Sequence, residues 1–174
     1  MRRSARLPAN PTPEPYPDRR VVTFSPRAIM LLLLQPDRGR YMTTELTLLA
    51  WTLVLALVQI LLPAMLRTRE TGVSYNASAR DEEGPPVGTV TARLQRAQKN
   101  LFETLPVIVA GIVIAHMAGR NGALTWWGAM LYFWARIVYL PLYALGIPYI
   151  RSLVWLVSLV GIILILVAIL LPGA

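Results

Sequence analysis

The 174-residue sequence contains no cysteine and a single histidine. The absence of cysteine excludes disulfides, thiolate metal sites and a thiol nucleophile that belongs to the protein itself. With one imidazole and no carboxylates at metal-ligand spacing, we expect no metal centre. Any thiol chemistry would therefore have to use a thiol that arrives with the substrate.

Charged residues are also scarce, at 15% of the chain against 55% apolar residues. A soluble domain of this length would need more polar surface, so the composition predicts a small integral membrane protein. The formal net charge is +8, but the basic residues do not form one patch with interleaved aromatic residues. This distribution argues against nucleic acid as a partner.

Residues 1–41 differ in composition from the rest of the chain. They hold half of the 14 prolines, eight arginines and no sustained periodicity, so we predict a disordered segment. A second interpretation is that the functional protein begins at Met42, where Thr43-Thr44-Glu45 has the composition of a helix start. In both interpretations residues 42–174 form the membrane domain.

Apolar stretches in this domain are long enough to cross about 30 Å of hydrocarbon. Glycine-containing turns at 119–122 and 146–148 separate the last three. The predicted fold class is an all-α membrane protein with a four-transmembrane-helix bundle. Its predicted spans are 46–66, 101–118, 123–145 and 149–171. The second helix is expected to begin near Thr89 or Thr91, outside the hydrocarbon.

Four spans place the 67–100 connector and the 146–151 turn on one side of the membrane. That side gathers seven basic residues, whereas the 119–122 turn offers only Arg120. Because positive charge accumulates in cytoplasmic loops, we expect the connector to be cytoplasmic. The chain has one lysine against 16 arginines, which indicates a GC-rich bacterial genome and hence a bacterial inner membrane.

Polar side chains enter the second span on one stripe. If residues 93–103 are helical, spacings of three, four and three residues align Arg93, Arg96, Asn100 and Glu103. A charge at membrane depth costs about 2.5–3.5 kcal/mol on insertion scales. The stripe therefore needs partners inside the protein.

The third span offers a second polar face, made by Arg136, Tyr139 and Tyr143 at spacings of three and four. Antiparallel packing brings this face to the same membrane side as Glu103. No other carboxylate lies within the four predicted spans, so counting predicts an ion pair between Glu103 and Arg136.

Further arginines near the membrane side of Glu103 have no predicted partner once Glu103 is assigned to Arg136. They are Arg67, Arg93, Arg96 and Arg151. Together with Asn100, Tyr139 and Tyr143 they suit an anionic ligand, since guanidinium binds carboxylate in a bidentate fork. The alternative is that these arginines extend to the membrane surface and bind anionic lipid headgroups.

These residues resemble a known family. Arg93-Leu-Gln-Arg-Ala-Gln-Lys-Asn-Leu-Phe-Glu103, followed by Pro106, resembles the signature of the MAPEG proteins, the membrane-associated proteins of eicosanoid and glutathione metabolism. The segment from Arg136 to Tyr143, and then Arg151, resembles the matching parts of the third and fourth helices. The resemblance covers Met42 to the C-terminus.

The resemblance implies a homotrimer of four-helix subunits that binds glutathione between neighbouring subunits near the cytoplasmic face. It implies that Arg151 stabilises the glutathione thiolate. It also implies that glutathione is bound or framed by Arg67, Arg93, Arg96, Asn100, Glu103, Arg136, Tyr139 and Tyr143. One departure is Trp155, which stands where one branch of the family has a tyrosine.

The leading hypothesis is therefore a glutathione transferase or peroxidase-like enzyme acting on hydrophobic electrophiles that reach it from the lipid bilayer. The first alternative keeps the fold but binds an anionic lipid or metabolite without turnover. The second is a small multidrug exporter. Exporters of that kind use a carboxylate in the first span, and residues 46–66 contain none.

Overall fold

The computed structural model describes Ser25 and residues 42–79, 81 and 84–171. The prediction of a disordered segment over 1–41 lies, apart from Ser25, outside the described residues. So do Arg80, Glu82 and Glu83 of the connector. The helices below belong to the unit that extends from Tyr41 to Ala174.

The described part of the chain is helical and contains no strand. Four of its five helices are long and apolar enough to cross a membrane, namely all except α2. The helices are α1 Thr44–Thr71, α2 Val73–Ala77, α3 Thr89–Met117, α4 Ala123–Leu145 and α5 Pro148–Leu170. This confirms the predicted all-α membrane fold.

The helix ends follow from local sequence. The Thr43 hydroxyl caps α1 by accepting a hydrogen bond from the Leu46 N–H at 3.4 Å, so the helix start predicted there is confirmed. At the end of α4, Gly146 adopts φ +80°, a left-handed conformation that favours glycine. Pro148 then begins α5 in the first-turn position that tolerates proline.

Contacts at both ends of the bundle show that successive long helices run antiparallel. At one end the Arg93 guanidinium of α3 donates to the Ala144 carbonyl of α4 at 3.2 Å. We call this the connector end, because residues 84–88, which are hydrogen-bonded to the end of α1, also lie there. At the far end the Thr125 hydroxyl of α4 lies 2.7 Å from a Glu45 carboxylate oxygen of α1.

Helix α3 contacts the other three long helices, and α4 packs most extensively on α5. Gly128 and Gly161 allow the α4 and α5 backbones to meet. A Cβ on Gly161 would lie 2.6 Å from the Gly128 carbonyl oxygen and 2.8 Å from the Tyr132 nitrogen. Since both neighbours are backbone atoms, only glycine permits this approach.

The described part of the connector is tied to the long helices by a polar cluster. Arg67, near the end of α1, donates to the Pro85 carbonyl at 2.6 Å and to the Glu70 carboxylate at 3.1 Å. Glu70 in turn accepts hydrogen bonds from the Gly88 N–H, at 3.2 Å, and from the Thr91 hydroxyl. The end of α1 is thereby joined to the start of α3.

Replacing Gly161 with alanine should destabilise the bundle, because the new methyl group would meet the α4 backbone and force α4 and α5 apart. We expect the free energy of unfolding to fall by about 2 kcal/mol or more, as for overpacked cores. Thermal unfolding in detergent measures this. Gly122→Ala is the control, since its Cβ would meet open space; equal stability of the two variants would contradict the tight crossing.

Candidate functional site

Four of the predicted site residues lie around one cavity at the connector end. This cavity, which we call the tyrosine cavity, has a volume of about 170 Å³ and lies among α3, α4 and α5. It is lined by Asn100, Tyr139, Tyr143, Arg151, Ser152 and Trp155. The lining carries a guanidinium and several hydrogen-bonding groups but no carboxylate, so it suits an anionic ligand.

Aromatic contacts hold the cationic group of this cavity in place. The Arg151 guanidinium lies over the Tyr143 ring, 4.4 Å from its centroid. Tyr143 packs edge to face against Tyr139, with 5.3 Å between ring centroids. A guanidinium stacked on an aromatic face is attracted to it by the ring quadrupole. The turn from α4 to α5 thus brings Arg151 back over residues of α4.

The predicted ion pair between Glu103 and Arg136 is not formed. Arg136 is 1% exposed and donates to the Asn100 side-chain oxygen at 2.6 Å and to the Thr104 hydroxyl at 2.7 Å. Glu103 is exposed. Asn100 and Thr104 are one turn apart and share the face of α3 that meets α4, whereas Glu103 is about 100° away from Thr104. Neutral acceptors satisfy the guanidinium instead of the carboxylate.

Arg93 caps a helix and does not line the tyrosine cavity. Besides its hydrogen bond to Ala144, its guanidinium lies so close to Gly146 that a Cβ there would come within 2.6 Å of it. A cation beside the last carbonyls of a helix is stabilised by the helix dipole. Arg96 and Glu103 are exposed, and they do not line the tyrosine cavity either.

Arg67 lies apart from the tyrosine cavity in the same subunit. It lines a larger cavity of about 490 Å³, the connector cavity, formed by α1, α2 and α3. The lining residues are Ile60, Pro63, Ala64, Arg67, Thr68, Asn76, Gln95 and Gln98. Gln98 and Asn100 are two positions apart on α3, which turns their side chains about 200° from each other. The two cavities therefore open on different sides of α3.

Sequence reasoning missed several polar residues of these cavities and their surroundings. Gln95 and Gln98 lie in the same segment as the predicted stripe, but on its other side. Thr104 follows Asn100 by one helical turn and was a detectable acceptor for Arg136. Ser152 is adjacent to Arg151 and lines the same cavity.

Comparisons with known proteins give one result. A protein-family model, that of the MAPEG family, matches residues 48–171. The match covers 124 of 174 residues, and both cavities lie within it. No curated protein and no solved structure gives a significant match.

Arg93→Ala and Arg96→Ala should have different effects on the free energy of unfolding. We expect Arg93→Ala to lower the free energy of unfolding by about 0.5–1 kcal/mol, because the last carbonyls of α4 lose their cation. Arg96→Ala removes an equivalent charge from an exposed site on the same helix and should change it by less than about 0.5 kcal/mol. Denaturation of both variants in the same detergent measures this difference. Equal decreases in the free energy of unfolding would contradict the capping role of Arg93.

Proposed function

Since the chain belongs to the MAPEG family, we propose that it is a membrane-embedded glutathione transferase or peroxidase-like enzyme that conjugates or reduces hydrophobic electrophiles with glutathione. The observation that carries this proposal is the tyrosine cavity. Three helices bring a guanidinium, two tyrosines and an amide to one space whose lining has no carboxylate. Glutathione is anionic through its carboxylates and, when deprotonated, through its thiolate. The amide and tyrosine hydroxyls suit a carboxylate, and the guanidinium suits the thiolate.

The tyrosine cavity has room for only part of a tripeptide. Its volume of about 170 Å³ is below the roughly 300–1,000 Å³ typical of small-molecule pockets. The connector cavity, with Arg67 and Gln98, lies on another side of α3. We therefore propose a homotrimer in which the connector cavity of one subunit faces the tyrosine cavity of its neighbour. Glutathione would then lie between subunits and contact both.

Arg151 supplies the chemistry in this proposal. A glutathione thiol is mostly protonated at neutral pH, and a guanidinium nearby in a low-dielectric pocket favours the thiolate. The proton passes to water, so no protein base is needed. In conjugation the thiolate forms a sulfur–carbon bond as the leaving group departs. In peroxide reduction the thiolate attacks an oxygen and breaks the O–O bond, which forms a glutathione sulfenic acid, and the departing alkoxide takes a proton from water. A second glutathione thiol then displaces the sulfenic hydroxyl and gives the disulfide and water.

The hydrophobic electrophile reaches the tyrosine cavity from the lipid bilayer. Trp155 lines the tyrosine cavity, and α5 exposes apolar side chains such as Leu153 and Leu156 along the same helix. We propose a bacterial inner membrane with the connector end cytoplasmic, because positive charge collects at that end. Arg67, Arg93, Arg96, Lys99 and Arg151 supply this charge.

A non-catalytic role remains the alternative, with one observation in its favour. Arg96 and Lys99 are exposed at the connector end, where phospholipid headgroups lie. An anionic lipid or metabolite would then occupy the tyrosine cavity without turnover.

Turnover separates these two functions. In the full-length protein in detergent, Arg151→Ala should lower kcat for conjugation of glutathione to a soluble aryl halide by about a hundredfold, as when one electrostatic stabiliser of an anion is removed. The Kd for glutathione from calorimetry should change much less. Arg69→Ala, at the end of α1 and outside both cavities, is the control. A folded wild-type protein that binds glutathione but never turns over would support the alternative.

Mixing variants tests the shared site. Arg67→Ala and Tyr143→Leu should each weaken glutathione binding, because each removes one half of the proposed site. Co-expressed subunits should recover about a quarter of the sites in a random trimer, since an intact tyrosine cavity then meets an intact connector cavity. Each variant purified alone gives the baseline. No recovery in mixed oligomers would show that each site is built within one subunit.

A further inference from the structure

Arg136 is a buried cation whose partners are neutral. It is 1% exposed, and no carboxylate among the described residues lies within ion-pair distance of it. Its two terminal nitrogens donate to Asn100 and Thr104, at 2.6 and 2.7 Å, and its Nε has no partner. Because it lines neither cavity, it has no direct access to a ligand in the tyrosine cavity.

The hydrogen bond to Asn100 fixes the direction of an amide. A guanidinium has donors only, so a side-chain amide that faces it must present its oxygen. The amide nitrogen of Asn100 is then directed away from Arg136. Asn100 also lines the tyrosine cavity. Without Arg136 the amide would be free to turn and present its oxygen to the ligand.

The guanidinium itself is held firmly. Its central carbon lies 5.3 Å from the Tyr132 ring centroid and 5.5 Å from that of Tyr139. Thr104 accepts from Arg136, and its hydroxyl is 3.0 Å from the Tyr132 hydroxyl. Two rings and a second hydrogen bond thus fix the guanidinium, and a fixed donor can in turn fix Asn100.

We infer that Arg136 is a positioning residue, which turns Asn100 so that its two N–H donors face the tyrosine cavity and select a carboxylate group of the ligand. This inference rests on the proposed function, because it concerns the same cavity. An amide turned the other way would place its oxygen against the carboxylate. Arg136 therefore acts on ligand affinity through Asn100 and not by touching the ligand.

A double-mutant cycle on glutathione affinity tests whether Arg136 acts through Asn100. Calorimetry on the full-length protein compares wild type with Asn100→Ala, Arg136→Lys and the double variant. Each single change should raise Kd by about tenfold, the effect of one hydrogen bond to a charged group. The double variant should be no weaker than Asn100→Ala alone. If the losses multiply to about a hundredfold, Arg136 acts independently of Asn100 and the inference is wrong.

Arg120→Lys is the matched control. Arg120 also donates to backbone carbonyl oxygens, those of Ala168 and Leu171, but it is exposed and lies at the far end of the bundle. The same substitution there should leave Kd unchanged. A general effect of exchanging a structural arginine would instead raise Kd in both variants, which would contradict a specific role for Arg136.

Asn100→Asp covers the case in which Arg136→Lys fails to fold. The carboxylate keeps the shape of the side chain and accepts from Arg136 as a charged partner, so the unfolding temperature should rise. It offers oxygen instead of N–H to the cavity, so the Kd for glutathione should rise more than tenfold. A variant that binds as tightly as wild type would overturn the inference.

Thermal unfolding distinguishes failure of the inference from failure of the proposed function. Asn100→Asp should raise the unfolding temperature when Arg136 is present and lower it in an Arg136→Gln background, whether or not glutathione binds. If the folded wild type binds no glutathione, the proposed function fails, while this coupling still supports the contact that orients Asn100. If no coupling is found, the inference fails even where glutathione binds.

Discussion

A polar side chain carried to membrane depth must find its partner inside the protein, because lipid offers none. Arg136 is the clearest case. Its guanidinium is satisfied by Asn100 and Thr104, two residues one turn apart on α3. Helix packing sets the rotation of α3 against α4, and this pair of hydrogen bonds then holds that rotation and the height at which the two helices meet. Much of the candidate site depends on that alignment.

The tyrosine cavity forms where three helices are held by different means. Arg136 joins α3 to α4, and its position sets Asn100 beside Tyr139. The turn at Gly146, supported by Arg93, returns the chain so that Arg151 lies over Tyr143. Close approach of α4 and α5 at their glycines holds this return. The cavity is thus a consequence of helix packing, and all of its described lining residues belong to these three helices.

The arginines of the connector end perform different tasks. Arg93 caps α4, Arg136 is buried behind Asn100, and Arg151 faces a cavity. Arg67 faces the other cavity and also braces the connector through Pro85 and Glu70. Their shared charge led to one predicted pocket. In the structure their distance from helix ends and the side of the helix they occupy decide what each one contacts.

Local sequence determined the membrane character, the four spans, the helix start after Thr43 and the faces of α3 and α4 that carry polar groups. These features depend on apolar length, capping and a period of 3.6 residues, which act within one helix. The partner of Arg136 and the separation of Arg67 from Arg151 were decided only by tertiary structure. Several acceptors could satisfy a buried guanidinium, and the choice between Glu103 and Asn100 depends on how α3 is rotated against α4. That rotation results from packing between helices, which no single segment encodes.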